Sequence, residues 1–217
     1  MTAVVALDDL ITAVTEATSP AALVEAVTAL AQVSDRAAIP ALITVLGYNN
    51  PGAAQIAVQR LIAWGRPAVP ELLARLDDYN YGARAYGIRV LAAIGDGAAL
   101  DVLLQAALRD FAPSVRRAAL RGLGNLDWPA GRLERQSEVL AALEQGLMDG
   151  DWSIRYASVV ALEHWGCRAS RPADLPAHLL PSLAHCATED GDSVVQTRAQ
   201  LALTRLTPPA AFEPCHS

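Results

Sequence analysis

The sequence predicts an all-α chain, a right-handed α-solenoid of about six short helix pairs stacked in one array. Three observations carry this expectation. A degenerate period of about 30 residues runs through nearly the whole chain, and a period of that size marks helical units that each pack only on their neighbours. Hydrophobic residues make up 53% of the 217 residues while aromatic residues are only 5%, a supply of small aliphatic side chains that suits helices better than sheets. Two apolar columns also recur in register. Leu30, Leu61, Leu91, Leu123, Leu162 and Leu203 form the first; Val33, Trp64, Ile94, Leu126, Trp165 and Leu206 follow three residues later. Positions i and i+3 share one helical face.

Each unit reads as a first helix, a short turn and a second helix. The second helices carry the two columns and end on Ser34, Gly65, Gly95, Asp127, Gly166 and Thr207, largely helix-stopping residues. First helices open with Ile39-Pro40-Ala41-Leu42, Val69-Pro70-Glu71-Leu72 and Leu180-Pro181-Ser182-Leu183. Proline is tolerated in a first helical turn because its missing N–H would have no partner there. Ala99-Leu100-Asp101-Val102 and Val139-Leu140-Ala141-Ala142 fill the same slot without proline. The spacing of the leucine column widens after Leu123, so the segments 127–135 and 168–176 read as longer connections. Residues 1–207 form one repeat domain in this reading, its outer units serving as caps, and 208–217 form a frayed tail.

Composition excludes several functions. The net charge is −6, and phosphate backbones demand a basic stripe, so nucleic acid is not an expected partner. No apolar run reaches the length of a membrane span, and the N-terminus lacks the basic segment of a signal peptide, so a cytoplasmic protein without membrane insertion is expected. Three scattered cysteines imply no disulfide framework. No phosphate loop, nucleophile elbow or zinc spacing is present. Glu163-His164 occurs once and makes no repeated iron-binding pair; the expected metal complement is none. All 17 basic residues are arginines, which grip carboxylates bidentately where lysine does not, although genome composition also explains such a bias.

The turns hold the candidate chemistry. Five of the eleven Phe, Trp and Tyr residues fall there: Tyr48, Tyr79, Tyr81, Phe111 and Trp152. Arg84, Arg116, Arg117, Arg155 and Tyr156 follow in the first turn of the second helices, beside Asp77, Asp78 and Asp110. Rings, acids and guanidinium forks along one edge suit a flat, conjugated ligand bearing carboxylates. The same Asp-before, Arg-after pattern also suits a structural ladder between neighbouring turns, and both readings stay open at this point.

The stretch Leu46-Gly47-Tyr48-Asn49-Asn50-Pro51-Gly52, then Asp77-Asp78-Tyr79-Asn80-Tyr81-Gly82-Ala83-Arg84, then Asp110-Phe111-Ala112-Pro113-Ser114-Val115-Arg116-Arg117 resembles the bilin lyase family of cyanobacteria. That family is built of short HEAT-like repeats, and the likeness is to its beta, or F-type, subunits. The resemblance implies a heterodimer with an E-type alpha subunit, which joins phycocyanobilin by a thioether to a cysteine of the apo-phycocyanin alpha chain, reversibly. It implies phycocyanobilin as substrate and no resident cofactor. On this view Tyr79, Tyr81, Arg84, Arg116, Arg117, Trp152, Arg155 and Tyr156 bind the bilin, and Asp78 and Asp110 keep its pyrrole nitrogens protonated. A related F-type subunit that also isomerises its bilin carries an Asn-His-Cys signature; here Tyr48-Asn49-Asn50-Pro51-Gly52 stands in its place, so ligation without isomerisation is expected. The competing reading is a non-catalytic repeat scaffold or an adaptor in phycobilisome degradation.

Overall fold

A computed structural model describes residues 6–76, 80–127, 135–168 and 175–207. These hold twelve α-helices: α1 Leu7–Thr15, α2 Pro20–Ala31, α3 Ile39–Val45, α4 Pro51–Trp64, α5 Val69–Arg75, α6 Tyr81–Ile94, α7 Leu100–Arg109, α8 Pro113–Asn125, α9 Gln136–Gly146, α10 Trp152–Gly166, α11 Leu179–Glu189 and α12 Ser193–Leu206. They form six consecutive pairs, as the repeat predicts, and the array is an all-α solenoid. The two longer connections (128–134 and 169–174), the segment 77–79 and the tail 208–217 lie outside the described residues.

Local chemistry sets the helix starts. Ser19, Asn50, Asn80, Asp151 and Asp192 cap the second helices, each side chain accepting a backbone N–H from the first turn. Pro20, Pro51 and Pro113 sit in the first turns of α2, α4 and α8, and Pro40 and Pro70 in those of α3 and α5. Helices α4 and α6 stop at Gly65 and Gly95, which have φ of 67° and 70°, the left-handed region that a Cβ disfavours. Gly166 does not act this way: it is the last residue of α10, and Cys167, in right-handed conformation, forms the cap.

The leucine column is the core. Leu30, Leu61, Leu91, Leu123 and Leu162 are fully buried, whereas Leu203, on the last of the described helices, is only partly so. The second column is mixed. Leu126 and Leu206 are buried, while Trp64, Ile94 and Trp165 sit at the core margin.

Second helices pack on one another in sequence, α2 on α4, α4 on α6, α6 on α8, α8 on α10 and α10 on α12. This continuous row positions the candidate site. At its centre α8 meets both neighbours almost backbone to backbone: a Cβ on Gly122 would fall 2.6 Å from Ala92 Cβ, and one on Gly124 2.5 Å from Ala161 Cα. The carboxyl end of α8 is fixed by Arg168, which donates to the carbonyls of Gly124 and Leu126, both at 2.8 Å. Those carbonyls would otherwise lack helical partners.

Substituting Gly124 with Ala is expected to cost about 2 kcal/mol of stability, the usual penalty for overpacking against backbone that cannot retreat. Urea unfolding followed by far-ultraviolet circular dichroism measures it. Gly150→Ala, where an added Cβ meets nothing within 4 Å, should leave the midpoint unchanged.

Candidate functional site

Two features lie along the second helices: a ladder through the turns and a groove across the helix faces. The ladder has a fixed chemistry. Arg116 donates through Nη1 to the carbonyls of Asp110 and Phe111 in its own turn (2.9 and 3.2 Å), and through Nε and Nη2 to the carboxylate of Asp149 in the next (3.1 and 3.3 Å). Arg155 repeats this with the carbonyls of Asp149 and Gly150 (2.9 and 3.3 Å) and the carboxylate of Asp190, both bonds 2.8 Å. Each aspartate accepts a backbone N–H two residues ahead: Asp110 from Ala112, Asp149 from Asp151, Asp190 from Asp192. In the last described unit Gln196 takes the arginine's place, donating to the Asp190 carbonyl at 2.6 Å.

Towards the N-terminus the rung is made differently. Asn50 and Asn80, besides accepting as caps, donate their amides to the carbonyls of Pro20 and Gly47 in the preceding turn. An Asp cap has no proton to donate, so where Asp151 and Asp192 cap the helix the arginines supply the link. The Arg84–Asp110 rung joins the two regimes. Arg84 Nη1 lies 2.6 Å from Asp110 Oδ2, but that oxygen and Arg84 Nε have no aligned hydrogen-bond partner, so the contact is a charge pair rather than a bidentate fork.

The groove is a recess of about 970 Å³ walled by α4, α6, α8 and α10. Its floor is small and apolar, with Ala85, Ala92, Val115 and Ala118. Tyr81 and Tyr86 bring rings, Arg89, Arg117 and Arg121 bring charge, and His164 brings an imidazole. No carboxylate is among the described residues lining it, although the chain holds 23 acidic residues. Arg89 rests 5.4 Å over the Tyr86 ring. Tyr81 stands where groove and turn edge meet: its ring is 5.3 Å from that of Phe111 and its hydroxyl 3.4 Å from Ser114 Oγ.

The sequence-predicted site is therefore divided. Tyr81 and Arg117 face the groove. Arg84, Asp110, Arg116 and Arg155 are engaged in the ladder, and the Asp110 side chain is fully buried. Trp152 is 47% exposed and Tyr156 packs against the core; neither lines the groove. Asp78 and Tyr79 lie outside the described residues. Tyr86, Arg89 and Arg121 were not picked out from the sequence, and His164 was weighed there only as a metal ligand. A usable signal existed: Arg89 and Arg121 each fall nine residues after the residue preceding α6 and α8, whereas the ladder arginines all fall four after. Glu163 is buried and held by Arg198 and Arg205, and no group of three potential metal ligands occurs among the described residues. No described helix is long and apolar enough to cross a membrane.

Stacked helix pairs with an inner row and a turn ladder define a HEAT-repeat protein, and the family described as HEAT repeats matches residues 49–124, 69–163 and 100–204. The PBS lyase HEAT-like repeat matches residues 22–48. The phycocyanobilin lyase subunit beta of Thermosynechococcus vestitus is 52% identical over 163 residues, 73% of this chain and 76% of that protein. The phycocyanin alpha phycocyanobilin lyase CpcF of Synechocystis sp. is 50% identical over 121 residues, 54% of this chain and 56% of that one. A chain in the structure of the complex of CpcE and CpcF of phycocyanin lyase from Nostoc sp. PCC7120 matches with a TM-score of 0.71 and 48% identity, over 77% of this chain and 99% of that one. This chain belongs to the phycocyanobilin lyase beta-subunit family.

The ladder predicts a pH dependence. Hydrogen bonds from Arg155 hold the Asp190 carboxyl below the ordinary range, against the opposing effect of burial. Burial pushes the Glu163 carboxyl up, but Arg198 and Arg205 together bring it below its usual value. Carboxyls depressed in the folded state stabilise it fully above the unfolded carboxylate range, near pH 4, and lose that contribution as pH falls through the folded values. Urea midpoints should thus be level above about pH 5 and drop steadily below about pH 4. Asp190→Asn should lower the level part by about 2 kcal/mol and make the acid slope shallower.

Proposed function

We propose that this chain is the beta subunit of a heterodimeric bilin lyase in the cytoplasm. With an E-type alpha subunit it attaches phycocyanobilin through a thioether to a cysteine of the phycocyanin alpha chain, and it runs the reaction in reverse to detach or transfer the bilin. The observation that carries this reading is a groove with no carboxylate among its described lining residues, large enough for a drug-sized or larger flat ligand, in a chain of the lyase beta-subunit family.

The reaction adds the acceptor's cysteine across the bilin's exocyclic double bond. Sulfur bonds to the ethylidene carbon, and a proton goes to the neighbouring ring carbon. The nucleophile belongs to the acceptor, so this chain needs no reactive thiol. Its Cys186 suits that role poorly: burial pushes the thiol's pKa up, and the thiolate is the attacking form. What the subunit supplies is positioning. The Tyr81 and Tyr86 rings offer faces for stacking, and the groove arginines offer charge for the propionates. His164 and the tyrosine hydroxyls are the proton donors lining the groove. Asp110, sealed in the ladder, supports the site from behind, while Asp78 keeps the proposed role of holding the pyrrole nitrogens protonated. Trp152, Arg155 and Tyr156 act in this reading through the turn edge. No resident cofactor takes part.

The test is co-expression with the E-type subunit, the apo-phycocyanin alpha chain and phycocyanobilin, read by zinc-induced fluorescence on a denaturing gel. A covalent band should require both subunits. A signal no stronger than the partner-free control overturns the reading in favour of a non-catalytic scaffold. Tyr81→Ala should leave helicity intact and reduce attachment by about tenfold, as expected for loss of one stacking contact of roughly 1.4 kcal/mol.

A further inference from the structure

We propose that Arg89, Arg117 and Arg121 form an anion-holding subsite that reads the two carboxylates of a flat dicarboxylate lying along the groove; this rests on the lyase reading, in which that molecule is phycocyanobilin. Eight other arginines have a carboxylate within ion-pair distance. The three in the groove have none among the described residues; Arg36, Arg60, Arg109 and Arg168 have none either, but they do not line the groove. Arg89 reaches only Gln55 Oε1, at 3.4 Å, and the Tyr86 ring. The charge of Arg117 is felt by Asp151 in the neighbouring turn without an ion pair. Three cations without a carboxylate partner, around a recess with no carboxylate among its described lining residues, gather positive potential there in a chain of net charge −6.

Their placement implies two carboxylates rather than one. Arg89 and Arg121 occupy the same register on packed neighbouring helices, α6 and α8, so their backbones stand about 8–10 Å apart. Arg117 and Arg121 are one turn apart on a single face, about 6 Å. The same register on the flanking helices holds Gln59 and Val160, which confines the charge to the middle of the groove. A guanidinium on each side of a small-residue floor, with tyrosine rings alongside, fits a planar molecule whose two acid arms leave its central part.

The experiment titrates the purified heterodimer with phycocyanobilin and with its dimethyl ester, following bilin absorbance. The free acid should bind at least about tenfold more tightly than the ester, and its affinity alone should fall with added salt. Arg89→Ala and Arg121→Ala should each raise the Kd for the acid by about tenfold and leave the Kd for the ester unchanged, with unaltered thermal melts confirming folded protein. Variants that bind the acid as wild type does, or an ester that binds wild type as tightly as the acid, overturn the subsite while the lyase reading stands. If wild type binds neither compound, subsite and lyase reading fall together.

Discussion

The contact on which the rest of this structure depends is the arginine that spans two turns, bound to carbonyls of its own unit and to the carboxylate of the next. In a solenoid each unit packs mainly on its neighbours, so errors in the angle between units accumulate along the array. Apolar packing alone tolerates sliding between helices. The forks of Arg116 and Arg155 do not, because planar donors and directed acceptors are satisfied in one arrangement only. The Arg116 and Arg155 rungs also serve carbonyls of the turn that no helix satisfies, so they settle those polar groups together with the register of the units.

That register shapes the groove. With the turns pinned along one edge, the second helices fall into a row, and glycines on α8 let the middle of the row close to near backbone contact. The floor is consequently shallow and smooth, and the side chains that rise from it stand on fixed helices rather than on loops. A site built on such elements holds its geometry with little reorganisation, which is what a subunit contributing mainly orientation requires.

Ladder and groove divide the chain's arginines by one step of helical rotation. Arg116 and Arg117 are adjacent in sequence, yet about 100° apart around α8: one turns to the edge and is consumed by structure, the other faces the recess and has no ion pair among the described residues. With the edge arginines paired internally, Arg89, Arg117 and Arg121 are the cations that line the groove. Acidic residues keep the whole chain negative, and none of the described ones lines the groove.

The periodic leucines, the caps and the glycine stops were sufficient to read six helix pairs and their order, because each rests on spacing or on chemistry within a few residues. The turn pattern of Asp, ring and Arg was equally plain, and it left ladder and ligand both open. Only the tertiary structure separated them. Whether a guanidinium meets a carboxylate depends on where the next unit's turn comes to rest, some 33 residues away for Arg116 and 35 for Arg155. For the same reason Arg89, Arg121 and His164 emerged as neighbours only in space. Spacing within one helix shows which face a residue takes, and the packing of successive helices determines what that face encounters.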